Sequence, residues 1–173
     1  MEADVAVIGL GRISLPLALA AVSRVNESVP LFLVEGIKRR LGSSGLRNRK
    51  VAVLGLAFKR DSDDDRSSLS HKLVRLLERE LADVAIHDPH GTTPTQALPQ
   101  ALRGAEAVVV ATNHSAFEEV SALRTILDVA GPDCLLADPW DMWGAGQVFA
   151  YAGEVAAMPG AAPSSRRPER RLR

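Results

Sequence analysis

The sequence predicts an α/β fold: a parallel sheet with helices on both faces, preceded by an amphipathic helix and a strand–turn–helix fragment. Three observations carry this. After Lys50, short apolar runs alternate with segments of helical period. The run Val51–Ala52–Val53–Leu54–Gly55–Leu56 nearly copies Val5–Ala6–Val7–Ile8–Gly9–Leu10, so a strand-and-turn opening occurs twice. Finally, the runs end in Gly or Asp-Pro, residues that stop a strand.

The elements follow in order. Residues 1–24 read as a strand, the turn Gly9–Leu10–Gly11 and a helix from about Ile13. Residues 25–41 read as an amphipathic helix, with Ser28 as N-cap, Pro30 in its first turn and Leu33, Val34, Ile37 and Leu41 on its apolar face. Gly42 to Arg49 reads as a flexible linker. The stretch 50–158 holds the sheet. Its first strand (51–56) leads into an acidic loop, then a helix presenting Leu69, Leu73, Leu76, Leu77 and Leu81. Strand 84–86 stops at Asp88–Pro89; a helix at 94–103 precedes strand 107–111. A helix bearing Phe117, Val120, Leu123, Ile126 and Leu127 leads to strand 134–137 and Asp138–Pro139–Trp140. The tail 159–173 has five Arg against one Glu and a single large apolar residue, Leu172, and reads as a disordered basic tail.

Composition excludes several classes. Lys plus Arg and Asp plus Glu balance at 21 each, so the chain lacks the basic excess of a nucleic-acid binder. One Cys rules out a disulfide framework and suits a reducing, cytoplasmic setting. No apolar run has the roughly 18 residues of a membrane span.

In a parallel sheet, ligands sit beyond the carboxyl ends of the strands, which selects the residues to weigh. Gly9 and Gly11 form a G-x-G turn that admits a pyrophosphate to the backbone, or are simply a tight turn; the acid-bearing second strand of a dinucleotide site does not follow. Gly55 to Ser67 spans a strand tip and a helix start. There Lys59 is placed for a diphosphate, while Asp64, Asp65 and Ser67 could cap the helix; a plain charged loop is the alternative. His87 and His90 with Asp88 lack a third neighbour and make no metal site, so no metal is expected. Thr112–Asn113–His114 lines a ligand cleft, or the next helix is capped through Thr112, Asn113 or Ser115. Cys134 opens an apolar strand and reads as buried and unreactive.

These residues resemble the UDP-glucose/UDP-N-acetylmannosamine 6-dehydrogenase family. Val5–Leu19 is similar to its N-terminal strand, turn and Leu-Pro-x-Ala helix, and Val25–Leu41 to the end of its central helix. Lys50–Ser67 resembles its Val-x-Gly-x-x-Phe-Lys-x-x-Thr-x-Asp-x-Arg-x-Ser pattern, with Ser62 in place of Thr. His87–Asp88–Pro89, Thr112–Phe117 and Asp138–Pro139–Trp140 continue the likeness, and Thr-x-His-x-x-Phe leans toward the N-acetylhexosamine branch. The resemblance implies a Rossmann-like UDP-sugar-binding domain over 50–158, the end of a dimerisation helix over 25–41 and a remnant of an NAD-binding domain over 1–24. It implies a four-electron oxidation of a sugar C6 alcohol by two NAD, through a thiohemiacetal and thioester on a cysteine. The loop bearing that cysteine has no counterpart, so no catalytic residue carries over. Phe58, Lys59 and Arg66 carry over as contacts to the UDP part, and Gly9 and Gly11 as the NAD turn. The expected function is a shortened, non-catalytic binder of UDP or a UDP-sugar. Alternatives are an NAD-dependent oxidoreductase completed by a full-length paralogue, and a remnant without a ligand. The Leu33/Ile37/Leu41 face is expected to drive homodimerisation.

Overall fold

The computed structural model describes residues 14–42 and 45–158. The N-terminal strand, Gly9, Gly11 and the tail 159–173 lie outside the described residues.

The expected boundary at residue 25 is absent. α1 runs unbroken from Ser14 to Leu41 with Pro30 inside it. Ser28 is not an N-cap; its hydroxyl donates to the Val25 carbonyl one turn back (2.7 Å). Tertiary burial overrides the local start signals: Pro30, Leu33, Val34 and Ile37 are buried against the sheet. Leu33 and Ile37 of the face expected to dimerise are covered within the chain, with Leu41 half-buried.

In the segment after α1, Leu46 is fully buried, and Asn48 N–H donates to the Leu81 carbonyl (2.9 Å). β1 (Lys50–Leu54), α2 (Leu69–Arg79) and β2 (Asp83–His87) follow. α2 starts at Ser68, whose hydroxyl accepts from Ser70 N–H. It buries Leu73 and Leu77, whereas Leu81 lies past its end at φ 63°, exposed. α3 is only Leu98–Leu102, shorter than the expected 94–103, and β3 is Ala107–Val110. The expected single helix after Asn113 is two pieces, α4 (Ser115–Glu118) and α5 (Val120–Ala130). β4 (Leu135–Ala137), β5 (Phe149–Tyr151) and α6 (Ala152–Ala157) complete the described chain.

The five strands form one sheet in the order β2-β1-β3-β4-β5. The first four are parallel; β5, which the sequence reading missed, pairs antiparallel to β4 with Leu136 opposite Ala150. The sheet is therefore mixed rather than all parallel. Alternate residues of β1 serve two cores. Val51 and Val53 face α1, α2 and Phe149, whereas Ala52 and Leu54 face Leu102, Phe117, Ile126 and Trp143. Helices thus cover both faces, and the loops at the carboxyl ends of β1, β2, β3 and β4 share one rim.

Candidate functional site

The rim is organised by two buried carboxylates, each at a strand end and each followed by proline. Asp88, just after β2, accepts from Leu56 N–H (2.6 Å) and Ala57 N–H (3.3 Å) at Oδ2, and from His90 and Gly91 N–H (2.8 and 2.9 Å) at Oδ1. Burial pushes its carboxyl up, but these donors and the nearby His114 outweigh burial and hold it below the ordinary carboxylate range. Asp138, just after β4, accepts from Trp140, Met142 and Trp143 N–H (3.1, 2.7 and 3.3 Å). There burial wins, and the carboxyl is raised despite the three donors.

The loop leaving β1 is pinned from several sides. Gly55 turns it at φ 88°, and a β-carbon there would meet Thr112 Cβ at 2.6 Å. The Ala57 carbonyl accepts from the Thr112 hydroxyl (2.7 Å) and the Ser68 hydroxyl (3.3 Å). Phe58 N–H donates to the Asp64 carbonyl (2.8 Å). Arg60 forks onto Glu118, and Asp61 accepts from Ser115 N–H (2.8 Å) and the Ser115 hydroxyl. These bonds to Ser115 hold the Asp61 carboxyl below its ordinary range.

Phe58 and Lys59 project from this braced loop. Phe58 is exposed, as is Lys59, which makes no hydrogen bond or ion pair with the described residues. The Nε and Nη2 of Arg66 fork onto Asp64 (2.8 and 2.9 Å), and this pairing brings the Asp64 carboxyl down to about 2, with Lys59 adding to the effect.

Beside Phe58 a cavity of about 340 Å³ opens between α1 and the rim. Asn26, Pro30, Phe58, Ser68, Thr112 and Trp140 are among its walls. Trp140 is half exposed although Asp138 fixes its backbone. The walls combine aromatic surface with a few hydroxyl and amide groups, the usual chemistry of an organic ligand site.

His114, expected to line a cleft, is fully buried; it holds the N-cap position of α4, with no capping bond from its side chain. Asp61 N–H donates to its Nδ1 (2.9 Å), so the proton sits on Nε2, which faces Asp88 Oδ2 at 3.3 Å. Asp61, His90 and His114 bring donor atoms within 4.8 Å of one another. The Nδ1 lone pair is already used, leaving two groups, and the set does not fit a metal. His87 is apart, its Nδ1 bonded to the Gln96 carbonyl (2.8 Å). Cys134 lies in the core, where burial pushes its thiol up to about 12. Asp88 and Asp138 are the residues that sequence reasoning undervalued; the repeated Asp-Pro at strand ends was the available signal.

Residues 52–143 match the family model described as UDP-glucose/GDP-mannose dehydrogenase family, UDP binding domain. The chain is 32% identical over 100 residues to UDP-N-acetyl-D-mannosamine dehydrogenase from Pyrococcus horikoshii, covering 57% of this chain and 24% of that protein. It is similar to a solved UDP-glucose dehydrogenase from Pyrobaculum islandicum, with TM-score 0.51 and 38% identity over 57% of this chain and 25% of that one. The solved NDP-N-acetyl-D-galactosaminuronic acid dehydrogenase from Methanosarcina mazei aligns at TM-score 0.55 and 29% identity, over 73% and 27%. The chain thus spans about a quarter of the length of the relatives it matches. The match runs from within β1 to the turn after β4, and by it this chain belongs to the UDP-glucose/GDP-mannose dehydrogenase family, through its UDP binding domain.

Proposed function

We propose that this chain binds UDP or a UDP-sugar at the carboxyl rim of the sheet and does not oxidise it unaided. The single observation that carries this is the Phe58–Lys59 pair: an exposed ring and ammonium on a loop whose flanks are fixed by Asp88, Thr112 and Ser68. In the proposal Lys59 meets the diphosphate as a compact cation. Phe58 offers its ring to the ligand beside the cavity. Arg66 would join only after leaving Asp64.

The chain's sole cysteine supports the absence of unaided catalysis. Cys134 is buried and fully protonated at neutral pH, so it cannot serve as the nucleophile of a thiol route. The resemblance brings NAD as oxidant. Its expected turn, Gly9 and Gly11, lies outside the described residues. The relatives' names favour a second reading, an NAD-dependent dehydrogenase completed by a partner chain that supplies the nucleophile. That reading requires NADH to accumulate when UDP-sugar and NAD are added with such a partner.

Isothermal titration with UDP tests the first reading. Lys59→Ala is expected to weaken binding by about 1.5–3 kcal/mol, the worth of a charge-assisted phosphate contact. No heat at millimolar UDP, or equal affinity in the variant, overturns it.

A further inference from the structure

We propose that Asp88 and His114 are positioning residues of the UDP site, a clamp that holds segment 55–61 in its binding shape and opens when His114 is protonated. The proposal rests on the reading of Phe58 and Lys59 as UDP contacts.

The two side chains grip the segment at both ends. Asp88 Oδ2 takes the amides of Leu56 and Ala57, and the same oxygen takes the Nε2 proton of His114. The other ring nitrogen of His114 takes the amide of Asp61. Phe58, Lys59 and Arg60 are strung between the two grips and exposed. Both side chains are wholly shielded from solvent, so water cannot replace a lost bond without opening the site.

The grip demands one protonation state. A proton on Nδ1 would point at the Asp61 amide proton, and two donors cannot share a hydrogen bond. The groups facing the ring come from every neighbouring element. They are the Asp88 carboxylate after β2, the His90 ring with its centroid 4.9 Å away, the Asp61 carboxylate 3.8 Å from Nδ1, and the Phe117 ring on α4. The Asp61 carboxylate is the nearest acceptor for a second imidazole proton, and each of its oxygens, though bonded by Ser115, keeps a further lone pair. Protonation therefore moves the contact from the Asp61 backbone to its side chain, and segment 55–61 must shift.

The direction follows from burial. Burial holds His114 below its ordinary value, with Asp88 opposing it. The folded form then takes its proton at lower pH than the free ring would. The clamp is complete above about pH 6.5, the free imidazole value, and is lost as pH falls through the lower folded value. Asp88, held down in the fold, stays ionised throughout that interval, and its own loss falls below the free carboxylate range near 3.9.

UDP-glucose serves as the probe, because its diphosphate is a diester and keeps its charge across the range. Titrated from pH 8 down to about pH 4.5, still above the free carboxylate range, the full chain is expected to lose affinity about tenfold, the equivalent of one hydrogen bond of about 1.4 kcal/mol. In His114→Gln, whose amide can accept at one end and donate at the other, binding persists at pH 8 and no longer depends on pH. A wild-type affinity flat with pH, or a fall that survives in His114→Gln, overturns the clamp. If UDP-glucose fails to bind at pH 8, the UDP reading fails instead, and amide exchange decides the clamp separately. The Asp61 amide should be protected at pH 8 and lose that protection over the same fall in pH, in the wild type alone. An amide unprotected at pH 8, or indifferent to pH, overturns it.

Discussion

Gly36 near the carboxyl end of α1 lies directly on the ring of Phe149 in β5: a β-carbon at Gly36 would fall 2.0 Å from Cζ. Phe32 packs against the same ring with centroids 5.6 Å apart, and the Arg40 guanidinium sits 4.2 Å above it. One ring thus seats two turns of the helix on the antiparallel edge of the sheet.

Gly36→Ala is therefore expected to destabilise the chain by about 1–3 kcal/mol, although alanine is the better helix former. Urea unfolding measures it. Phe149→Leu alone should also destabilise, but the double variant should be more stable than the sum of the two losses predicts, because the shorter side chain relieves the clash. Strict additivity would deny the contact.

Asp138→Ala removes the acceptor of three amides around Trp140 and Trp143. The expected loss is at least about 2 kcal/mol, since a single buried donor left unpaired costs about 1–3. Both tryptophans of the chain lie in that turn, so their fluorescence should shift to the red in the folded variant. A variant with unchanged emission and stability would show that the turn holds without the carboxylate.

Cys134 should resist iodoacetamide at pH 8 in the native chain and react only on unfolding, because its thiol is buried with a pKa near 12. Mass spectrometry after alkylation with and without urea gives the answer. Rapid native modification would put the residue outside the core.

The strands and their tips were legible because apolar β-branched runs broken by Gly55, Asp88–Pro89 and Asp138–Pro139 carry their own punctuation. β5 was not, since Phe149–Ala150–Tyr151 is three residues long and too short to show a period. The continuity of α1 was masked by Ser28 and Pro30, which mimic a helix start; only the burial of Leu33, Val34 and Ile37 on the sheet reveals otherwise. Lys59 was placed at the rim by the strand-tip rule, and Phe58 came only with the family resemblance. Asp88 and His114 were weighed as ligands or stops because their work is done on backbone amides from a distant loop, and such pairings leave no local pattern.

Pro30 has one more effect. Lacking an amide hydrogen, it cannot close the helical ring back to the carbonyl of Asn26, and both residues border the same cavity. The long helix consequently lacks its Pro30-to-Asn26 rung beside that hollow, and its backbone ladder is weakest where the cavity meets it.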